Sequence, residues 1–445
     1  MPFLAAFENR ADPFLIRERG SSVRTELVAG ATTFAAMAYI LAVNPAILGA
    51  TGMDKGAVLT ATALASALFT VVMALAANLP VAAAPGMGIN AFFAFTLCLG
   101  SGVPWRGALG LVFYSGLLFF LVTVTGLRSR IIAAIPPSLR AAVACGIGLF
   151  IAFIGLQKGG LVVAHPVTLV TVGKLSAPGV GLVALGLLLG AWCVGRRKPG
   201  GFLFVILLIT LLGLLVPGGH GRPLTATPEG GWGAFPPSIL PVLGQVDFGY
   251  FWTHLGKCLP ALFALFFVDL FDGLGTLLGL GERLKGSAAL PIDRALRADA
   301  LGAAGCALLG TSTVTPYIES AAGIEQGGRT GVTALATAAC FLLALFAAPL
   351  FLAIPPAATA PVLILVGLGM MRSSARIDFD DWTLALPACL IVVVMPLTFS
   401  IAEGISAGLV FHVALRIAAG RVREVSPVLG GLAALLLLHY VWRGQ

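Results

Sequence analysis

Carboxylates inside apolar sequence are the groups of this chain best suited to chemistry. Asp269 and Asp272 lie three residues apart in the apolar run that begins near Gly256, and Glu319 lies in a later run. Because an ionisable group inside a membrane costs about 2.5–3.5 kcal/mol, each of them needs a partner, water or a function. The three-residue spacing puts Asp269 and Asp272 on one face of a helix, where one of them can carry a coupling proton. A structural role for Asp269, as a cap at a helix break near Gly273, stays open.

Glu319 follows a pattern that indicates a helix starting within apolar sequence. Thr315 and Pro316 fit an N-cap followed by a first-turn proline, so we predict a half-helix with inward-facing backbone N–H groups. Glu319 then lies in its first turn, where the helix dipole favours a carboxylate. A capping box would place the acid at Ile318 instead, so a ligand role for Glu319 is favoured over a capping role.

A second interruption lies about 230 residues earlier, at residues 84–90. Gly88 belongs to a Pro-Gly-Met-Gly string that predicts extended backbone and allows close approach to a ligand. Asn90 then begins the next helix, and its amide offers both a donor and an acceptor. Phe92 and Phe93 follow, and one of them could stack on a flat ring, although aromatic residues in spans mostly serve packing. Together, carboxylates and an amide suit a small polar molecule rich in N–H groups and disfavour anions.

The composition predicts that these residues lie in an all-α polytopic membrane protein. Apolar residues make up 58% of the chain, charged residues make up 10%, and the mean hydropathy is +1.01, so a soluble protein could not cover its core. Fourteen apolar segments are predicted, beginning near Thr25, Ala57, Asn90, Gly107, Ser138, Gly179, Gly201, Gly256, Leu296, Pro316, Gly331, Pro356, Trp382 and Ile401. The last apolar stretch, within 426–445, is barely long enough to cross, and we interpret it as interfacial or packed against the bundle.

The basic residues predict the orientation. With the N-terminus in the cytoplasm, the inside segments hold twenty Lys and Arg residues, and the outside segments hold only Lys55, Arg106, Lys158, Lys174, Arg222 and Lys257. The positive-inside rule therefore favours a multi-pass protein of the cell membrane with a cytoplasmic N-terminus. The net charge of +8 reflects this flanking pattern, so we expect no nucleic-acid partner.

The spacing of prolines indicates an internal duplication. Pro85 and Pro316 each open the third span of a seven-span half, and Ile-Pro-Pro precedes both the fifth and the twelfth span. An odd number of spans forces the second half to lie inverted, and paired interrupted helices are typical of a transporter's substrate site. The polar stretch 218–255 is predicted to be the linker between the halves.

Three strings now identify a resemblance. Residues 84–93 (APGMGINAFF), 267–276 (FVDLFDGLGT) and 310–323 (GTSTVTPYIESAAG) resemble the nucleobase:cation symporter family, also called the nucleobase-ascorbate transporters, and specifically its adenine/guanine/hypoxanthine permease branch. Residues 327–331 (GGRTG) complete the pattern, and the resemblance extends from about residue 25 to residue 423.

The resemblance implies fourteen transmembrane segments in two inverted seven-span repeats, with short strands before the third and tenth helices. A core domain would comprise spans 1–4 (25–126) and 8–11 (256–352), and a gate domain would comprise spans 5–7 (138–217) and 12–14 (355–423). The family's usual homodimer through the gate domain is also implied.

The resemblance also implies roles for individual residues. Asp272 matches the eighth-span carboxylate that binds the base, Glu319 matches the tenth-span binding residue, and Asn90 matches the third-span polar position. Asp269 matches a branch-typical acid whose role stays open. Pro316 and Gly273 depart from the serine and threonine that are common in relatives.

The implied function is import of a purine base by proton symport, with the core sliding against the gate in an elevator-type cycle. Asp269, Asp272 or Glu319 would carry the proton; sodium coupling is less favoured, and no cofactor or metal is expected. One alternative is an anion transporter of the same architecture. A remote alternative is an intramembrane aspartyl protease, but its two acids should come from different helices, whereas Asp269 and Asp272 lie on one.

Overall fold

The computed structural model describes residues 12–127, 135–196, 198, 200–218, 223–227, 235–284 and 291–443. Arg222 and parts of the predicted linker 218–255 lie outside the described residues, as does the end of the segment 426–445. Apolar helices dominate the described residues, and helices begin within four residues of every predicted segment start.

The helices of the first half are α1 (Val23–Met37), α2 (Ile40–Leu48), α3 (Lys55–Ala77), α4 (Met87–Ala91), α5 (Trp105–Val124), α6 (Pro137–Lys158), α7 (Pro178–Gly195) and α8 (Gly201–Gly213). Those that follow are α9 (Gly249–Thr253), α10 (Leu255–Arg283), α11 (Ile292–Leu309), α12 (Ser320–Glu325), α13 (Gly331–Ala344), α14 (Ala348–Leu352), α15 (Pro356–Met371), α16 (Trp382–Thr398), α17 (Ile401–Ala418) and α18 (Pro427–Arg443). Helix α4 continues as a π-helix over Phe92–Gly100. The described residues also form the strands β1 (Ala83–Pro85), β2 (Val162–His165), β3 (Leu169–Val172) and β4 (Val314–Pro316).

Length and hydropathy make this a membrane protein. Within the described residues, nine helical stretches are long and apolar enough to cross a bilayer, and three further apolar helices are shorter. The shorter ones include Met87–Gly100, which follows β1, and Gly201–Gly213. Backbone groups that leave a helix inside a bilayer need partners from protein, because lipid offers none.

The two interruptions meet each other and supply those partners. β1 pairs with β4 in antiparallel register, with Ala84 opposite Thr315, and all six residues of the two strands are buried. The ladder extends at both ends, where the Gly86 amide donates to the Thr313 carbonyl (3.0 Å) and the Tyr317 amide donates to the Ala82 carbonyl (2.9 Å). The extended backbone at each interruption therefore finds its hydrogen-bond partners in the other interruption.

This pairing corrects the prediction for the second interruption. Thr315 and Pro316 lie in β4 and do not start a helix; α12 begins at Ser320, four residues later than Pro316. Proline is compatible with a two-stranded ladder because its missing N–H can face away from the partner strand. The helix α4, in turn, begins at Met87 and not at Asn90.

Helix packing forms two groups. Helices α1, α3, α4 and α5 pack with α10, α11 or α13, and α2 packs on α3, whereas α6 to α8 pack with α15, and α6 packs also with α16 and α17. Glycines allow the closest crossings: a Cβ on Gly116 would lie 2.4 Å from the backbone of Ala303, and one on Gly148 would lie 2.6 Å from the Gly367 carbonyl oxygen. Small residues at such crossings let helices pack closely where no hydrophobic effect drives their association.

A buried carboxylate joins α1 to the start of α13. Glu26 is 0% exposed and accepts hydrogen bonds from the amides of Arg329 (2.9 Å), Thr330 (3.2 Å) and Thr333 (3.2 Å), and from the Thr333 hydroxyl (2.5 Å). Arg329 and the N-cap residue Thr330 directly precede α13, and Thr333 lies in its first turn, whose N–H groups have no intrahelical partners. The positive end of the helix dipole also favours a carboxylate there. Glu26 was not singled out from the sequence, and its contacts give it a structural role.

The C-terminal stretch forms α18, which packs against α17 and also contacts α10. This placement agrees with the interpretation that the stretch packs against the bundle.

Candidate functional site

The paired strands lie next to α10, and Asp272 of α10 faces them. The Thr315 hydroxyl on β4 donates to Asp272 Oδ2 over 3.3 Å. On the β1 side, a Cβ added to Gly86 would lie 3.1 Å from Thr315 Oγ1 and 3.6 Å from Asp272 Oδ2. A side chain at Gly86 would therefore fill the space beside this carboxylate. Asp272 is half-buried, so it lies next to a protein surface and not in the packed core.

Glu319 lies at the N-cap of α12, where its side chain makes no cap hydrogen bond. Its Oε1 instead accepts from the Tyr39 hydroxyl over 2.7 Å. Tyr39 is 1% exposed and lies where α1 ends and α2 begins. The carboxylate is thus held by a side chain from the junction between α1 and α2. A ligand role for Glu319 stays a prediction.

Asn90 is buried and bridges the two interruptions. Its Oδ1 accepts from the Ser312 hydroxyl, and its Nδ2 donates to the Pro85 carbonyl over 3.4 Å. The Tyr317 hydroxyl donates to the same carbonyl over 2.6 Å. The amide of Asn90 therefore supports the strand pair from the helix that follows β1.

The other predicted residues of this tract serve packing in this conformation. Phe92 and Phe93 are both 0% exposed and belong to the hydrophobic core. Gly88 packs against α6, because a Cβ there would lie 2.6 Å from Ile147 Cγ2. Neither phenylalanine presents a ring face to an open space, and Gly88 provides close helix packing and not an approach to Asp272.

Asp269 lies behind the site. It is 1% exposed, and Gly273, one turn further along α10, packs against Asp299 of α11. A Cβ on Gly273 would lie 2.3 Å from Asp299 Oδ2. Asp299 follows a charged stretch of the sequence but is itself only 4% exposed.

Three further residues of the site were missed from the sequence: Tyr39, Tyr317 and Asn44. The Asn44 amide donates to Thr62 (2.8 Å) and to Thr311 (3.0 Å), and so connects α2, α3 and the segment before β4. A signal for Asn44 exists in the sequence, because an amide within an otherwise apolar stretch needs hydrogen-bond partners.

The arrangement suits a ligand that donates hydrogen bonds. Asp272 and Glu319, the two half-buried carboxylates, each accept from a hydroxyl, and a hydroxyl can rotate to a new partner. Neutral N–H groups of a ligand could then bind the carboxylate oxygens without bringing an anion near them. No group of three or more His, Cys, Asp or Glu side chains able to hold a metal ion occurs in the part of the chain that the structure describes.

Comparison with known proteins gives a family and relatives. The family model described as "Permease family" matches residues 24–407. MJ0326 of Methanocaldococcus jannaschii, named only as a permease, is 46% identical over 96% of this chain and 97% of its own length. The adenine permease AdeP of Escherichia coli is 40% identical over 96% of this chain and 95% of its own. The guanine/hypoxanthine permease PbuG of Bacillus subtilis is also 40% identical, over 96% and 99%.

Solved structures share the fold at lower identity. The transmembrane domain of the cyanobacterial bicarbonate transporter BicA covers 86% of this chain with a TM-score of 0.61 and 18% identity, and 97% of that domain is matched. SLC26A9, which is an anion transporter, covers 89% of this chain and is matched over 66% of its own, with a TM-score of 0.57 and 12% identity. These likenesses concern the fold alone.

Proposed function

The chain belongs to the Permease family, and on that premise we propose that it imports a purine nucleobase, namely adenine, guanine or hypoxanthine, by proton symport. Members of this family are transporters and not enzymes, so the protease alternative is wrong. Relatives with 40% identity along nearly the whole chain are permeases for adenine or for guanine and hypoxanthine. Purine bases carry several N–H donors on a neutral flat ring, which is the ligand chemistry that the site suits.

The observation that carries the proposal is the position of two carboxylates around the paired strands. Asp272 is held by Thr315 and Glu319 by Tyr39, each through one hydroxyl. A base that donates an N–H to either carboxylate would gain an ionised acceptor, which gives hydrogen bonds roughly twice as strong as those of neutral acceptors. Asp272, Glu319 or Asp269 would take up the coupled proton. Asn90, Gly88 and the strand residue Thr315 would shape the site, and Phe92 or Phe93 would contact the base in another conformation.

The two packing groups support an elevator-type cycle. We assign the group of α1–α5 and α10–α13 to a core domain (25–126 and 256–352), and the group of α6–α8 and α15–α17 to a gate domain (138–217 and 355–423). The core would carry base and proton past the gate in a bundle of fourteen spans built from two inverted repeats. The charge distribution favours a cytoplasmic N-terminus in the cell membrane, and a homodimer would form through the gate.

Uptake by cells that lack their own permeases tests the proposal. Radiolabelled adenine, guanine, hypoxanthine, xanthine and uracil are supplied with and without a protonophore. We expect uptake of one or two purines that a protonophore abolishes and that removal of sodium leaves unchanged. Asp272→Asn and Glu319→Gln should each abolish uptake at unchanged membrane abundance. Glu18→Gln, which changes an exposed carboxylate outside the site, is the control and should transport normally.

Two results of these experiments would contradict the proposal. Normal uptake by both Asp272→Asn and Glu319→Gln would overturn the site. No uptake of any base, with abundant protein in the membrane, would instead favour the anion-transporter alternative, whose fold this chain shares.

A further inference from the structure

We propose that Lys158 and Thr96 form a latch that holds the two helix groups together on the outer side of the site. The latch rests on the alternating access of the proposed function, but it is a separate device in residues that do not touch Asp272 or Glu319. It consists of two contacts that cross from one helix group to the other, and both involve the π-helical stretch after α4.

The first contact is made by Lys158, the last residue of α6. Its ammonium donates to the Ala46 carbonyl of α2 over 3.3 Å and lies 5.6 Å from the centre of the Phe95 ring. A lysine at the end of a span usually extends its ammonium toward water. Here the half-buried Lys158 side chain reaches back to the opposite helix group and binds a backbone oxygen and an aromatic ring face.

The second contact is made by Thr96, the neighbour of Phe95. Its hydroxyl donates to the Phe399 carbonyl over 2.5 Å, and Thr96 is only 7% exposed. Phe399 lies between α16 and α17 with a φ of 53°, a left-handed conformation that is rare for a residue with a bulky side chain. Its ring packs against Phe150 and Phe153 of α6, with centroid distances of 5.7 and 5.5 Å.

Both contacts lie at the same end of the bundle. Phe95 contacts the Lys158 ammonium through its ring, and the neighbouring Thr96 donates a hydrogen bond to Phe399. The helices α2, α6 and α16 all have their C-terminal ends there, and the distribution of basic residues places these ends outside. A base leaving the site toward this side has to pass between the helix groups, so both contacts must break before the outer path opens.

The geometry predicts how each contact contributes. A net hydrogen bond corresponds to about a 3- to 10-fold change in an equilibrium constant. Thr96→Val keeps the shape of the side chain and removes the donor, and Lys158→Met keeps an unbranched stem and removes the charge. Each variant should therefore raise the fraction of molecules that are open to the outside by about 3- to 10-fold, and the double variant should exceed either single one.

A cysteine reporter measures this opening without any substrate. Ala46→Cys retains the backbone carbonyl that Lys158 binds and adds only a thiol at a half-buried position. The background replaces the cysteines that are not buried, Cys98, Cys340 and Cys389, by alanine. A membrane-impermeant maleimide is applied to right-side-out and inside-out vesicles, and the labelling rate is measured by gel shift.

We expect Thr96→Val and Lys158→Met to raise the labelling rate in right-side-out vesicles by about 3- to 10-fold and to leave it unraised in inside-out vesicles. Thr398→Val and Lys174→Met are the matched controls, because Thr398 bonds only within its own helix turn and both side chains are exposed. Unchanged rates in both latch variants, or acceleration from the inside, would overturn the latch. Failure of the proposed substrate would appear in the uptake assay alone, because labelling needs no base.

Discussion

Substitution of Glu26 by glutamine should destabilise the protein without touching the transport site. The carboxylate accepts four hydrogen bonds at the start of α13, three from backbone amides and one from a hydroxyl. A glutamine has one acceptor oxygen. If that oxygen takes the place of Oε2, it keeps the bonds from Thr330 and Thr333, and its NH₂ group then faces the Arg329 amide, donor against donor.

The magnitude follows from these contacts. A hydrogen bond to a charged group contributes about 1.5–3 kcal/mol, and a buried donor left unsatisfied costs about 1–3 kcal/mol. The loss at Arg329 alone therefore amounts to about 3 kcal/mol for Glu26→Gln, which corresponds to a Tm lower by roughly 3 °C in a chain of this size. Glu26→Ala leaves all three amides unsatisfied and should lower the Tm further. Glu18→Gln, at an exposed position, should leave the Tm within about 1 °C.

The assay is thermal unfolding of the purified protein in detergent, and size-exclusion chromatography measures how much folded protein remains at each temperature. Uptake per folded molecule, measured at low temperature, should stay close to that of the unchanged protein in Glu26→Gln. A Tm shift below about 1 °C in both Glu26 variants would refute the capping role. So would a folded Glu26→Gln protein that keeps its Tm and loses uptake, because the carboxylate would then act in transport.

Three further predictions concern other parts of the fold. Tyr39→Phe removes the phenol that donates to the carboxylate of the site, so initial uptake rates should show a KM about 5- to 10-fold higher at unchanged protein abundance. Gly148→Ala places a Cβ 2.6 Å from a carbonyl oxygen of α15 and should reduce the free energy of unfolding by about 1–3 kcal/mol through overpacking, which lowers the Tm. Gly181→Ala, whose Cβ would have no atom within 4 Å, should leave the Tm unchanged. The hydrogen bond from the Thr383 hydroxyl is the main cause that lowers the pKa of Asp381. The ionised carboxylate therefore stabilises the fold above the unfolded pKa of about 3.9, and this stabilisation declines as the pH falls through the lowered pKa. Asp381→Asn should flatten the fall in Tm between pH 5 and pH 3.

Asp381 also forms ion pairs at the N-terminal end of α16. Its Oδ2 pairs with Arg416 (3.3 Å) and Arg421 (3.0 Å), and Arg416 also pairs with Glu424 (2.5 Å). In the sequence, these arginines indicate only the orientation of the chain. Their network joins α16, α17 and the turn that follows, which a count of basic residues does not reveal.

Local patterns predicted much of the site. The carboxylates Asp272 and Glu319 stood out because charged groups are costly in apolar sequence, and both lie half-buried beside the strand pair. The same reasoning did not distinguish Asp299, which the surrounding charges made look solvated. It also missed Glu26, because a carboxylate at the start of a span resembles a solvated flank.

The helix predicted to start at Thr315 and Pro316 shows that neighbouring residues alone do not determine where this helix begins. A threonine followed by a proline fits an N-cap as well as it fits a strand. The decision depends on β1, more than 200 residues away, whose backbone groups need partners in a bilayer that offers none. The pairing keeps residues 314–316 extended and delays the helix to Ser320.

The sequence by itself determined the class of protein, the positions of the apolar helices and the acids that had to be functional or paired. These properties follow from hydropathy, helix periodicity and the cost of charge, all of which act over a few residues. Only the tertiary structure decided which groups meet: Tyr39 with Glu319, Glu26 with the first turn of α13, and Lys158 with the opposite helix group. Each of these contacts joins residues more than 100 positions apart, and the packing of whole helices sets their distance.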